Sequence, residues 1–150
     1  MRILFVRHSD AAQFAASDFE RPLTDIGKEH ARRAADKLRD IDLKDFLSLV
    51  SPALRTLETW NIISSYLHLD DACQQVAELY NADLESYFEI IENNRFANLI
   101  IIGHNPAISQ TISSLLDQRI DLAPSEWVLL EIDENSANVK VLNLYQVKEN

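Results

Sequence analysis

Three short apolar runs in this chain each carry an arginine or a histidine within a few residues of their end. Met1-Arg2-Ile3-Leu4-Phe5-Val6 runs into Arg7-His8-Ser9, and Phe46-Leu47-Ser48-Leu49-Val50 runs into Ser51-Pro52-Ala53-Leu54-Arg55. Leu99-Ile100-Ile101-Ile102 runs into Gly103-His104-Asn105-Pro106. Runs this short and this apolar suit strands buried on both faces, which belong to parallel sheets sandwiched between helices. In open α/β sheets ligands bind outside the carboxyl ends of the strands. Three such ends on one rim would bring Arg7, His8, Arg55 and His104 together. Guanidinium groups grip an anion while an imidazole attacks or moves a proton, a combination suited to phosphoryl transfer.

The intervening segments read as helices. Strand 2–7 is followed by a helix from about Thr24 to Arg39, with Thr24 as N-cap and Asp25 in the first turn. Gly27, Ala31, Ala34 or Ala35, and Leu38 repeat on one face of it. After strand 46–50, Ser51 reads as an N-cap with Pro52 at the first helical position, opening a helix to about Leu67. A short strand near Gln74–Ala77 precedes a helix around Leu84–Glu92, with Leu84, Tyr87, Phe88 and Ile91 on one side. Strand 98–102 leads into a helix carrying Ile108, Ile112, Leu115 and Leu116. Trp127–Ile132 and Val139–Val147 flank the polar stretch Asp133-Glu134-Asn135-Ser136-Ala137-Asn138 and read as a hairpin. The expected fold is α/β: one domain over residues 1–150, a three-layer αβα sandwich. Its sheet is mainly parallel with helices on both faces, and the C-terminal hairpin forms an antiparallel edge.

Composition removes several functions. Only Gly27 and Gly103 are glycine, so there is no Gly-rich phosphate loop, dinucleotide fingerprint or G-x-S-x-G elbow. Cys73 is followed by Gln74-Gln75-Val76-Ala77-Glu78-Leu79, without the arginine that a cysteine-based phosphatase places just after its thiol. A lone cysteine forms no internal disulfide, and a cytoplasmic location is expected. The formal net charge of −10 argues against nucleic acid as the main partner, although a local arginine cluster still attracts an anion. No apolar run approaches a membrane span. His8, His30, His68 and His104 are scattered, so no metal site and no cofactor is expected. His30 and His68 lie among polar neighbours in or beside helices and read as structural.

Four motifs then stand in register: Arg7-His8-Ser9-Asp10, Arg21-Pro22-Leu23-Thr24-x-x-Gly27, Ser51-Pro52-x-x-Arg55-x-x-x-Thr59 and Gly103-His104-Asn105-Pro106. With these the chain resembles the histidine phosphatase superfamily, also called the phosphoglycerate-mutase-like fold. Within it the resemblance is to the small SixA-type phosphohistidine phosphatases, over residues 2 to about 110. One position departs from the pattern: the family usually has glycine after its first histidine, and here Ser9 stands there. The C-terminal hairpin carries no motif.

The resemblance implies His8 as a nucleophile that carries the phosphoryl group, with Arg7 and Arg55 clamping its oxygens. His104 would stabilise charge in the transition state, and Arg21 would supply a further phosphate or substrate contact. Ser9 would add a weaker hydrogen bond to the phosphate. Two residues compete as general acid: Glu78, where the superfamily often places a carboxylate after the third strand, and Asp18, in the loop before Arg21. The implied function is hydrolysis of phosphohistidine on a protein partner, such as a histidine phosphotransfer domain in a phosphorelay, by an enzyme acting as a monomer. A phosphomonoesterase for small esters is the alternative, and a non-catalytic phosphate-binding module a third.

Overall fold

The computed structural model describes residues 1–147. One six-stranded sheet is built from β1 (Arg2–Arg7), β2 (Leu47–Val50), β3 (Gln74–Gln75), β4 (Leu99–Gly103), β5 (Trp127–Ile132) and β6 (Val139–Tyr145), in the order β3-β2-β4-β1-β5-β6. The first four in that order run parallel, and β5 and β6 are antiparallel to their neighbours. The helices are α1 (Asp25–Asp36), α2 (Leu54–Tyr66), α3 (Leu84–Asn93) and α4 (Ala107–Leu116).

Strand alternation divides the core into two layers. Ile3, Phe5, Leu99, Ile101, Val128 and Leu130 pack with Tyr87, Ile91, Ile108 and Ile112 of α3 and α4. Leu4, Val6, Ile100, Ile102 and Leu129 pack with Ala34 and Ala35 of α1 and with Trp60 and Ile63 of α2. The sheet therefore carries helices on both faces, as the continuous apolar runs require.

Strand register aligns the chain segments that leave the sheet. Arg7 lies opposite Gly103, and Val50 lies opposite Ile102. The residues that step off the three strands, His8, Ser51 and His104, therefore leave the sheet at one level on one rim.

Several boundaries differ from the sequence expectation. Thr24 does cap α1, accepting from the Gly27 N–H at 2.9 Å, but the helix stops at Asp36 and continues only as turns. Ser51 does not cap α2. The chain stays extended there, with the Ser51 N–H donating to the Ile102 carbonyl at 3.1 Å, and the cap position falls on Ala53. β3 has only two residues, after which the chain makes a 3-10 turn over Ala77–Leu79. No helix among the described residues is long and apolar enough to cross a membrane.

Candidate active site

At the end of β1 the His8 ring is held in one tautomer. Its Nδ1 lies 2.7 Å from the Ser9 carbonyl oxygen. A carbonyl only accepts, so Nδ1 carries the proton and Nε2 keeps a free lone pair. Burial pushes the His8 pKa down to about 4, and the guanidinium groups of Arg55, Arg7 and Arg21 push in the same direction. At neutral pH the ring is an uncharged base with an available nucleophilic nitrogen.

Arg7 is fixed by the segment that enters β5. Its Nη1 donates to the Leu122 carbonyl at 2.9 Å, and the Ser125 N–H donates to the carbonyls of both Arg7 and His8. Burial pushes the Arg7 guanidinium below its ordinary value, and Glu126, itself buried and accepting from the N–H groups of Ala123 and Val147, opposes that shift.

At the end of β4, Gly103 is required by close packing. A Cβ there would stand 2.0 Å from the Tyr87 hydroxyl, which accepts from the His104 N–H at 3.3 Å. The His104 Nε2 lies 2.7 Å from the Ser51 hydroxyl. The serine that the sequence suggested as a helix cap is thus spent on orienting the second imidazole. The rings of His8 and His104 have centroids 5.2 Å apart. Burial pushes His104 down to about 3, with His8 and Arg55 adding to the effect.

Arg55, in the first turn of α2, is buried and reaches the same place. Its Nη1 donates to the Asp18 carbonyl at 2.8 Å and its Nη2 to the Asp18 carboxylate at 3.2 Å. Arg21 donates from Nε to the other Asp18 oxygen at 3.0 Å and from Nη1 to the Ala12 carbonyl at 3.1 Å. Tyr80 completes the cluster, donating its hydroxyl to Asp18 at 2.6 Å. Its ring stands edge-on to both His104 and Phe19. The Tyr80 hydrogen bond, aided by the two arginines, holds the Asp18 carboxyl down at about 2.

Arg7, His8, Arg21, Arg55 and His104 line one cavity of about 260 Å³, together with Asp10 and Asn105. Among the buried side-chain atoms without a protein partner are Nε of Arg7, Nε of Arg55 and Nδ1 of His104. Unmet buried donors cost about 1–3 kcal/mol each, and oxygens of a bound phosphoryl group would satisfy donors of this kind. A second cavity of about 450 Å³ shares Arg55, His104 and Asn105 and adds Asp18, Tyr80, Asn81 and Pro106. A larger cavity of about 580 Å³ lies along β2 and β3, among Leu47, Ser48, Trp60 and Cys73, away from this cluster.

Two expectations need correction. The Ser9 side chain is fully buried and its hydroxyl donates to the Gly27 carbonyl at 2.5 Å, so its one proton is committed there and not to a phosphate. Glu78 is exposed on the 3-10 turn and lines neither cavity of the cluster. Just past that turn, Tyr80 faces the site instead. Asp18 is at the site, as a carboxylate bound to two arginines. Tyr80 and the Ser51 hydroxyl were not found by sequence reasoning. Ser51 sits in a motif that announced it, whereas Tyr80 has no signal besides being an aromatic residue near the expected acid. Among the described residues no group of three or more His, Cys, Asp or Glu is placed to hold a metal ion.

Comparison with known proteins gives the family and the fold. Residues 3–87 match the model of the histidine phosphatase superfamily, branch 1. The chain is 30% identical over 119 residues to phosphohistidine phosphatase SixA of Escherichia coli strain K12, covering 77% of this chain and 74% of that protein. The solved structure of the protein histidine phosphatase SixA complexed with tungstate superposes with a TM-score of 0.81 at 28% identity, over 96% of each chain. The α-ribazole phosphatase of Shigella flexneri shares the fold, with a TM-score of 0.75 at 17% identity over 99% of this chain and 100% of that one. On its four motifs, its strand-end cluster and these matches, the chain belongs to the histidine phosphatase superfamily.

Proposed function

We propose that this phosphatase hydrolyses phosphohistidine on a protein partner, through a phosphoryl group carried on His8. The observation that carries this reading is the absence, among the described residues of the cluster, of a carboxyl group ready to give up a proton. Glu78 is exposed outside it, Asp18 is held ionised by Tyr80, Arg21 and Arg55, and Asp10, which also lines the cavity, turns a carboxylate oxygen to the Thr24 hydroxyl and accepts from it at 2.8 Å. An alkyl phosphate must leave as an alkoxide and needs a proton in the transition state. Phosphohistidine does not, because its ring protonates at the other nitrogen and then departs as neutral imidazole.

In the proposed sequence the phosphoryl group occupies the smaller cavity, with Arg7, Arg55 and His104 on its oxygens. His8 Nε2 attacks phosphorus in line, a new N–P bond forms, and the substrate's N–P bond breaks toward the leaving imidazole. Water then attacks the phosphoryl group on His8, that N–P bond breaks, and phosphate and neutral His8 are released. The connections around the site support a protein substrate. Residues 8–24 contain a 3-10 turn at Asp18–Glu20 and a single β-bridge between Ala11 and Leu23, and residues 80–83 are a short loop, so neither builds a separate lid. A role in tuning a phosphorelay follows from this substrate class.

The test is leaving-group dependence. Wild type, Asp18→Asn and Glu78→Gln are compared on a phosphohistidine protein and on alkyl phosphates. The reading expects far better turnover of the phosphohistidine protein, with neither substitution selectively impairing the alkyl esters. Efficient alkyl ester hydrolysis that collapses in Glu78→Gln or Asp18→Asn would reveal a general acid and point to small phosphate esters.

A further inference from the structure

Ser9 occupies the position where its family usually has glycine, and it is fully buried without touching the cavity. Its three polar groups all make bonds. The carbonyl accepts from His8 Nδ1 at 2.7 Å. The N–H donates to the Thr59 hydroxyl oxygen at 3.0 Å, and the Thr59 hydroxyl donates to the Arg55 carbonyl at 2.7 Å. The Ser9 hydroxyl donates to Gly27 at the start of α1. The next residue, Asp10, is also locked: its carbonyl accepts from the Thr24 N–H at 3.0 Å, and a Cβ on Gly27 would stand 2.1 Å from that carbonyl oxygen. The residue that sets the tautomer of His8 is therefore pinned to α1 on one side and to α2 on the other.

We infer that Ser9 and Thr59 are positioning residues for His8. Their hydroxyls fix the Ser9 backbone so that its carbonyl holds the proton on Nδ1 and leaves Nε2 free. The same Thr59 hydroxyl bridges to the backbone of Arg55, tying the nucleophile and the phosphate clamp to one turn of α2. The serine is thus an added staple: the backbone N–H that glycine would also offer goes to Thr59, and the hydroxyl that glycine lacks goes to α1. Without these anchors the carbonyl tilts, the Nδ1 bond weakens, and the Nε2–H tautomer, which has no lone pair facing phosphorus, gains population. The inference rests on the reading of His8 as nucleophile.

Both hydroxyls are tested by removal with shape kept. In ligand-free protein the His8 tautomer is read from ring ¹⁵N chemical shifts, and kcat and KM are measured on a chromogenic aryl phosphate. Thr59→Val is expected to raise the Nε2–H tautomer and to lower kcat about tenfold, the effect of one lost neutral hydrogen bond, while KM changes less. Thr59→Ser restores both. Ser9→Ala, which keeps the N–H bond to Thr59, is expected to show a smaller shift in the same direction, and it decides the matter if Thr59→Val does not fold. Wild-type tautomer balance in Thr59→Val and Ser9→Ala overturns the inference, as does a Thr59→Ser variant as impaired as Thr59→Val. If His8 is not the nucleophile, the tautomer still responds to these substitutions while kcat does not, which separates failure of that reading from failure of this one.

Discussion

The ends of β1 and β4 each place one histidine against the same cavity, His8 buried and His104 half-buried, and the two rings are held in different ways. At β1 the partner is a carbonyl, which accepts only, so His8 has a single allowed neutral tautomer and a free Nε2. At β4 the partner is a hydroxyl, which can give or accept, so His104 can hold its proton on either nitrogen. Both rings are pushed well below the ordinary imidazole value by burial before any other cause. Burial therefore does not distinguish their roles; the neighbouring hydrogen-bonding atom does. A ring with a fixed lone pair is suited to attack. A ring whose proton can move is suited to follow charge as it builds on a phosphoryl oxygen.

The largest effect should fall on the first ring. His8→Ala is expected to abolish turnover while inorganic phosphate still binds through the arginines. His104→Ala should leave a measurable remainder, lowered by about 10²- to 10³-fold as for other losses of transition-state charge stabilisation. Equal residual rates in steady-state kinetics of the two variants would break the assignment of distinct roles. Arg55→Lys, which keeps the charge but not the fork, should cost about 10- to 100-fold, since charge-assisted bonds are worth roughly 1.5–3 kcal/mol each. A near-silent Arg55→Lys would mean that a point charge is enough beside these rings.

The smallest effect concerns pH. Both rings have folded values, about 4 for His8 and about 3 for His104, below the 6.5 of an unfolded imidazole. The unfolded chain therefore binds protons first as pH falls. The stability contribution is fully present above about 6.5 and is lost as pH drops through the folded values. Urea midpoints measured from pH 7 to pH 4 should fall, and His8→Ala should flatten that fall. Ring titrations centred near 6.5 would remove the burial argument for both histidines.

Legibility in the sequence divides in the same way, between side-chain pattern and backbone contact. The apolar runs and the residues that end them were readable because burial on both faces leaves a continuous hydrophobic signature. Arg7, His8, Arg55 and His104 were placed together for that reason. The partners that tune them were not readable. The Leu122 and Ser9 carbonyls are backbone atoms with no sequence mark of their own. Ser51 carries the local pattern of a helix cap, and tertiary demand from His104 overrode it. Glu78 and Tyr80 are two residues apart, and only the geometry of the 3-10 turn decides which faces the site. Asp18 was visible as a carboxylate in the right loop, but its engagement by Arg21, Arg55 and Tyr80 exists only in three dimensions.

The most direct measurement is to trap the enzyme during turnover of a ³²P-phosphohistidine protein and locate the label. The account predicts a phosphoenzyme that is labile in acid and stable in alkali, as an N–P bond is, with the label on His8 and none in His8→Ala. Label on His104 or on a hydroxyl side chain, or undiminished release of phosphate by His8→Ala, would contradict it.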